Sequence, residues 1–260
     1  MLRAKKVFDQ VWPRVAIVAA ILLIWWAVYE AGVFEPNELP SPADVWNALT
    51  ANLTGEDGLL AAAWGSLLRL ALSLGFAIVV GTFIGFAMAA SVIVQRSVGT
   101  LMTALNAIPP IVWLPLAIVW LGFTERAVMF VVVVGGVPAV AIATAISVRQ
   151  VSPQLIRAGR TMGARGWTLY RTVVLPASVP GYWTGLQQAW AVAWRALLAA
   201  ELIRRGAARG LGHLLDASVD DVSMILAVTV VIALIGLAID YVFAVVDRRI
   251  RRGRGLLVPA

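Results

Sequence analysis

Long apolar stretches alternate with short polar segments along the whole chain. Six stretches are long enough to cross a membrane, whose hydrocarbon core of ~30 Å takes about 20 apolar residues per helix. They cover residues 14–32, 63–90, 98–121, 127–147, 181–203 and 222–246. Pro109, Pro110 and Pro115 interrupt the third stretch, and Pro138 lies in the fourth. The pattern predicts an all-α bundle of six transmembrane helices that forms one domain over residues 1–260.

Composition supports this interpretation. The chain is 61% hydrophobic and only 13% charged, whereas a soluble domain is near half apolar and a quarter charged. The basic start followed by an apolar stretch resembles a secretion signal, but residues 30–33 (Glu-Ala-Gly-Val) make a poor cleavage site. We therefore expect the first stretch to be retained as a span.

Lysine and arginine are distributed unevenly between the two sides of the predicted bundle. Fifteen lie in the N-terminal segment, the second and fourth connections and the C-terminal tail, and only four lie on the other side. The first outer loop has no Lys or Arg; its acids are Glu35, Glu38, Asp44, Glu56 and Asp57. Since positive charge accumulates in cytoplasmic loops, we predict that both termini are cytoplasmic. The net charge of +7 is therefore no sign of nucleic-acid binding.

The first outer loop carries a helix signal. Ser41, Pro42 and Asp44 match an N-cap, a first-turn proline and a capping-box acid. The apolar positions that follow at helical spacing are Val45, Trp46, Leu49 and Leu53. We predict a short amphipathic helix on the outer membrane face, with a plain loop as the alternative.

Several classes of site are excluded by residue counts. There is no cysteine, and His213 is the single histidine, so thiolate and multi-histidine metal sites cannot form. A P-loop needs a lysine after a glycine-rich run, but the lysines are Lys5 and Lys6, with no glycine before them. We expect no catalytic residue, cofactor or metal in this chain. The alternatives are a secondary transporter, which usually has inverted repeats, and a membrane enzyme.

The connection over residues 149–180 has helix signals of its own. Ser152 can cap a helix with Pro153 in its first turn, and Gly163 can end that helix in a left-handed conformation. Its narrow apolar stripe comprises Leu155, Ile156, Gly159 and Met162. A second short helix would place Trp167, Tyr170 and Val174 on one face and stop at Leu175-Pro176. We predict two short helices in an L that present arginines outward.

This connection resembles the EAA loop of ABC importer permeases. Ala158 matches the first alanine of that motif, Gly163 its glycine, and Val174-Leu175-Pro176 its end. Two positions depart from the motif: Arg157 stands where glutamate is usual, and Gly159 where the second alanine is usual. The reversed charge at Arg157 puts any salt bridge transferred from the family to that position in doubt.

Other segments resemble the nitrate, sulfonate and taurine branch of these permeases. They are the LPSP of residues 39–42, the IPP of 108–110, the LPL of 114–116, the WLG of 120–122, the AAE of 199–201 and the GLG of 210–212. No single segment is decisive, but their order and spacing together are. The runner-up branches, methionine and glycine-betaine permeases, are disfavoured by the LPSP and the IPP with LPL.

The resemblance implies a type I ABC importer permease in a bacterial inner membrane, working as a homodimer in lipid. It implies two ATPase subunits that bind ATP and Mg, and an extracytoplasmic solute-binding protein. The transported solute would be a sulfonate-, taurine- or nitrate-like anion, or alternatively a heterocyclic vitamin precursor, methionine or betaine. The 149–176 loop would be the coupling segment, through Arg157, Ala158, Gly159, Gly163, Ala164, Trp167, Tyr170, Leu175 and Pro176.

Charged residues and prolines within the spans suggest the transport path. Arg69 and Glu201 lie near the outer ends and are expected to snorkel. Arg195 is deeper and either lines the path or pairs with an acid such as Asp240 or one of the second subunit. Pro109, Pro110 and Pro115 would break the third span and line a pore, or simply kink it.

Overall fold

The computed structural model describes residues 2–35, 37–55, 57–203 and 209–254, with only the backbone for residues 2–11 and 14. The charged side chains outside this description, on which the predicted orientation partly rests, are those of Arg3, Lys5, Lys6, Arg14, Glu56, Arg204 and Arg205. All regular elements in the described ranges are helical, as predicted. The α-helices are α1 (Leu2–Glu30), α2 (Pro42–Ala51), α3 (Leu59–Ala90), α4 (Val92–Ala107), α5 (Leu114–Leu121), α6 (Glu125–Arg149), α7 (Pro153–Thr161), α8 (Gly166–Leu169), α9 (Leu175–Ile203), α10 (Leu211–Ala217) and α11 (Val222–Arg252).

The most deeply packed helix is α6, which lies between α3 and α9. Small residues allow the close approach on both sides. A Cβ built on Gly85 of α3 would lie 2.4 Å from Cβ of Thr144, and one built on Gly185 of α9 would lie 2.3 Å from Cβ of Ala143. The paired glycines that precede them by one helical turn, Gly81 and Gly181, also contact α6. The two small-residue pairs in the sequence therefore act as helix-packing surfaces.

The third predicted span is broken, as its prolines indicate. Helix α4 ends at Ala107, a 3-10 turn covers Pro110–Trp113, and α5 follows directly. The chain bends by 94° between α4 and Pro110–Leu121. Pro115 was expected to break the helix as well, but it lies in the first turn of α5, where a proline's missing N–H has no intrahelical partner to lose. The break is therefore the work of Pro109 and Pro110.

The predicted outer helix is present as α2. The side chain of Ser41 accepts a hydrogen bond from the backbone N–H of Asp44 (3.1 Å), and Asp44 accepts one from the N–H of Ser41 (3.1 Å). This is the predicted capping box. Val45 is buried and Leu49 packs against the main core, while Trp46 is exposed. The indole of Trp25 donates to the carbonyl of Pro40 (3.0 Å), which ties α1 to the start of α2.

Three described helices are long and apolar enough to cross a membrane, namely α3, α6 and α11, and the bent α4–α5 pair makes a fourth if it is counted as one broken span rather than as a re-entrant loop. The apolar part of α1, Val15–Glu30, is shorter. Helix α9 has 29 residues but is less apolar, because Gln187, Gln188 and Arg195 interrupt it. The chain is thus a multi-pass membrane protein.

Candidate functional site

The 152–174 segment, which joins α6 to α9, begins with a well-formed short helix. The Ser152 hydroxyl accepts from the N–H of Gln154 (3.3 Å), and Pro153 occupies the first turn of α7. After α7, Gly163 has φ +88°, so the predicted left-handed end of this helix is confirmed. A residue with a side chain would be strained there. Gly163 therefore fixes the angle at which the chain turns from α7 into α8.

This segment packs against the ends of α3 and α6 through a small apolar cluster. Its buried members are Val148, Val151 and Val174, and Ile156 and Tyr170 pack against them. Gly159 is also buried, and a Cβ there would lie 2.9 Å from side-chain carbons of Leu169 and Val173. The glycine that replaces the usual alanine therefore brings α7 closer to α8 and the turn after it.

The predicted apolar stripe of α7 is divided between two surfaces. Ile156 packs on the bundle and Gly159 packs against α8 and the turn after it, whereas Leu155 is 50% exposed and Met162 is 88% exposed. Trp167 is 71% exposed and does not share the buried face of Tyr170 and Val174, contrary to prediction. We call Leu155, Met162 and Trp167 the apolar patch. Exposed arginines lie around it at positions 149, 157, 160, 165 and 171, as do the exposed Ala158 and half-buried Ala164.

The second short helix does not stop at Leu175-Pro176, as was predicted. A π-helical turn over Tyr170–Val174 joins α8 directly to α9. Proline lacks an N–H and its ring collides with the carbonyl four residues earlier in an ordinary α-helix. The wider π turn lies directly before Pro176, with helical residues on both sides of it. Helical turns therefore continue without a gap from Gly166 to Ile203.

The helix break, α6 and α9 line an open cavity of about 480 Å³. Pro109 and Pro110 line it from the break, Gly135 from α6, and Arg195 from α9, whereas Pro115 is not among its lining residues. Three of the four predicted path residues therefore come together. The sequence analysis missed Asn106, which is exposed and lines the same cavity at the end of α4. Its place next to the double proline was the available signal.

Arg195 is exposed, and its Nε donates to the carbonyl of Ala191 in its own helix (3.1 Å). No ion pair joins it to Asp240 or to another acid within the part of the chain that the structure describes. The alternative of a pair with Asp240 inside one chain is therefore wrong. What faces Arg195 is the cavity.

Arg69 and Glu201 do not snorkel, contrary to prediction. They are 7% and 3% exposed and form an ion pair between α3 and α9. Arg69 also lies 3.4 Å from the carboxylate of Glu125 and donates to the carbonyl of Arg209. Glu201 accepts from the hydroxyl of Ser66 (2.7 Å). Burial of both charges is tolerated because each has several hydrogen-bonding partners.

The AAE and GLG segments meet at this ion pair. The N–H of Gly212 donates to the Glu201 carboxylate (3.1 Å), and a Cβ on Gly210 would lie 2.8 Å from that carboxylate and from Arg69. A Cβ on Gly212 would lie 2.5 Å from Cβ of Glu201. The glycines are needed because the backbone itself wraps the carboxylate. The sequence signal was present in both motifs, but nothing in it paired them with Arg69.

Among the residues described, no three His, Cys, Asp or Glu side chains come together as metal ligands would. The described structure also presents an exposed apolar patch at one end of the bundle and a cavity at a broken helix.

The fold is similar to those of solved transporter structures. An inward-facing methionine ABC transporter aligns with a TM-score of 0.64 at 21% identity, covering 74% of this chain and 96% of that one. An amino acid ABC transporter aligns with a TM-score of 0.62 at 14% identity, covering 74% and 93%. At such identities the likeness shows the architecture, which is that of type I importer permeases.

Proteins matched by sequence comparison have higher identity to this chain than these solved structures. The taurine transport system permease protein of Escherichia coli is 30% identical over 253 residues, 95% of this chain and 91% of the relative. The nitrate import permease protein of Synechocystis is 27% identical over 95% of this chain and 90% of the relative. The bicarbonate transport system permease protein of Synechocystis is 26% identical over 93% and 89%.

The model of one protein family, described as the binding-protein-dependent transport system inner membrane component, matches residues 77–252. That range includes the 152–174 segment, the broken span and Glu201. The chain therefore belongs to this family and is a permease subunit of an ABC importer, of the branch that contains taurine, nitrate and bicarbonate permeases.

Proposed function

We propose that two copies of this chain form the transport path of an importer for a small anion in a bacterial inner membrane. Each copy would span the lipid six times, with both termini in the cytoplasm. ATP and Mg would be bound by two separate ATPase subunits, and a binding protein outside would deliver the solute. Family membership implies the last two partners.

The proposed orientation is supported by the position of the basic residues. Arg254, in the C-terminal tail, donates to the carbonyl of Pro176, and Arg251 donates to the hydroxyl of Thr184 (3.3 Å). The arginine-rich end of α11 therefore lies beside the arginine-rich 152–174 segment. Positive charge from two separate parts of the chain accumulates at this one end of the bundle, as it does on cytoplasmic sides.

The apolar patch is the observation that carries the proposed ATPase contact. Leu155, Met162 and Trp167 are exposed although they lie among arginines, outside the apolar helices that lipid would cover. Exposed tryptophan and methionine on a rigid element are typical of protein interfaces. The remaining residues proposed for coupling are Arg157, Ala158, Gly159, Gly163, Ala164, Tyr170, Leu175 and Pro176, of which Gly163 and Gly159 shape the segment.

The substrate class is inferred from the relatives. Those whose names state a substrate are permeases for taurine, nitrate and bicarbonate. Nitrate and bicarbonate are small anions, and taurine carries an anionic sulfonate. A heterocyclic vitamin precursor, methionine or betaine would be the alternative cargo. Pro109, Pro110 and Arg195 would line the path at the cavity, where backbone groups freed by the break do not have to face lipid.

The ATPase contact is tested by co-purification of the tagged chain with its ATPase. Trp167→Ala removes an indole that is 71% exposed in the apolar patch, and Trp64→Ala removes one that is 70% exposed on α3. We expect Trp167→Ala to retain less than about a tenth of the ATPase, as for loss of an interface hot spot. Trp64→Ala should retain all of it.

Equal retention by both variants would contradict the proposed contact. Wild-type chain that retained no ATPase, yet moved solute in vesicles under an ion gradient, would overturn the importer mechanism in favour of a secondary carrier.

A further inference from the structure

The unburied face of α9 is polar. Thr184, Gln188 and Arg195 are all exposed, and at 100° per residue they fall within about 40° of one another around the helix. All of α9 is described, and between Val179 and Leu202 none of its large apolar side chains is exposed. A face of this kind does not suit contact with lipid tails, since ionisable and amide groups are costly there.

Helix α3 shows what a lipid-facing surface looks like in the same molecule. Its exposed large side chains are Leu60, Trp64, Leu68, Leu72, Phe76, Val79 and Phe83. Helix α9 runs through the same bundle, yet its open face replaces such residues with a hydroxyl, an amide and a guanidinium. Packing inside the chain leaves these polar residues exposed, although the hydroxyl of Thr184 also accepts a hydrogen bond from Arg251 of α11 (3.3 Å).

The guanidinium of Arg195 has N–H donors left with which to bind an anion. Its Nε is used by the carbonyl of Ala191, and no described acid lies within ion-pair distance. It borders the cavity of about 480 Å³, together with the amide of Asn106. A cavity of this size can hold a small anion together with water.

We propose that the α9 polar face, defined as Thr184, Gln188 and Arg195, is the water-lined wall of the path, and that Arg195 selects for negative charge. The proposal rests on the proposed importer function and adds a specificity-determining residue to it. Gln188 lies two helical turns from Arg195 toward Thr184, so it is the next hydrogen-bonding group that an anion released by Arg195 would meet. The competing hypothesis is that this face forms a polar contact with a second copy of the chain.

The natural absence of cysteine allows a test that does not require the substrate to be known. Gln188→Cys is introduced into the tagged chain and expressed with its ATPase and binding protein. Membranes are treated with two thiosulfonate reagents of similar size: sulfonatoethyl methanethiosulfonate, which is anionic, and trimethylammonioethyl methanethiosulfonate, which is cationic. Phe83→Cys, on the lipid-facing side of α3, is the matched control.

We expect Gln188→Cys to be labelled and Phe83→Cys to be protected. The anionic-to-cationic rate ratio, normalised to that of a small free thiol, should exceed one for Gln188→Cys. A charge about 10 Å away in a partly aqueous path changes this ratio by roughly tenfold. Adding Arg195→Gln should therefore lower the ratio by about that factor while labelling itself continues.

An unchanged ratio in the double variant would overturn the role of Arg195. Protection of Gln188→Cys equal to that of Phe83→Cys, with and without ATP, would overturn the water-lined wall. Oxidative cross-linking of two Gln188→Cys copies that are also protected from the reagents would assign the face to the dimer contact instead. Co-purification of the ATPase from the same membranes reports separately on the importer function, so its failure cannot be confused with these outcomes.

Discussion

The guanidinium of Arg69 and the carboxylate of Glu201 form a buried ion pair between positions 132 residues apart in the chain. The pair joins α3 to the last turn of α9, at the end of the bundle opposite the 152–174 segment. Ser66, Gly212 and the carbonyl of Arg209 hydrogen-bond to it. A second polar contact between the same two helices joins the hydroxyls of Thr82 and Tyr182 (2.8 Å).

Removing one partner of this pair should destabilise the protein strongly. Glu201→Gln preserves the side chain's size but leaves the Arg69 charge buried with only the more exposed Glu125 nearby. Loss of one member of a buried pair costs about 3–5 kcal/mol. We expect a lower thermal transition of the purified chain in detergent, and a smaller loss in Arg69→Met/Glu201→Met than the sum of the single losses.

Asp247→Asn is the matched control, since it removes a charge from the Asp247–Arg251 pair (2.8 Å), which is partly exposed. Such a pair four residues apart on a helix contributes only about 0.3–0.5 kcal/mol. A Glu201→Gln transition no lower than that of Asp247→Asn would contradict a structural role for the buried pair.

The glycines around Glu201 should tolerate no side chain. In Gly212→Ala the added Cβ would lie 2.5 Å from Glu201 and 2.6 Å from the carbonyl of Leu198. Overpacking of this kind typically costs about 1–3 kcal/mol, and here the backbone would have to shift. Thermal unfolding measures the loss. Gly236→Ala on α11, where the nearest atom is 3.8 Å away, should unfold at or above the wild-type temperature.

Close packing of α3 on α6 can be tested at Gly85. Gly85→Ala would place a Cβ 2.6 Å from the carbonyl of Ala141, besides its contact with Thr144. We expect less monodisperse protein by size-exclusion chromatography, because the two helices must separate. Gly75→Ala lies in the same helix with nothing within 4 Å and should gain stability from the better helix propensity of alanine. Equal yields of monodisperse protein from Gly85→Ala and wild type would show that α3 and α6 can move apart without loss of stability.

The turn at Gly163 should matter for coupling more than for stability. Gly163→Ala forces a side chain into φ +88°, which costs about 1–2 kcal/mol and favours a different angle between α7 and α8. ATPase activity stimulated by the binding protein should fall several-fold, with the amount of folded chain little changed. Gly253→Ala, at φ −61°, should have no effect, and a Gly163→Ala complex with full stimulation would show that the turn angle is unimportant.

Several features follow from local sequence alone. The capping box at Ser41, the helix start at Ser152 and the left-handed Gly163 each depend on residues within four positions, and each is present in the structure. The break of the third span also follows from adjacent prolines. In these places the chemistry that decides the backbone lies beside it in the chain.

Features that depend on distant residues could not be derived in this way. Arg69 and Glu201 are each consistent with snorkelling until the fold places them together, because burial is a property of the tertiary structure. The π turn before Pro176 likewise overrides the usual effect of Leu-Pro, and the residues at its two ends, Tyr170 and Val174, pack on the bundle. The polar face of α9 becomes recognisable only once the covered side of that helix is known.

Continuity through the π turn has a mechanical consequence. Helical turns from Gly166 to Ile203 span roughly 55 Å at 1.5 Å per residue when extended along one axis, with Trp167 near one end and Glu201 near the other. Near the middle, at Gly185, this run approaches α6 closely. A continuous helical connection of this kind links the exposed end at Trp167 to the Arg69–Glu201 pair through the backbone, and the π turn and Pro180 are the places where it can bend.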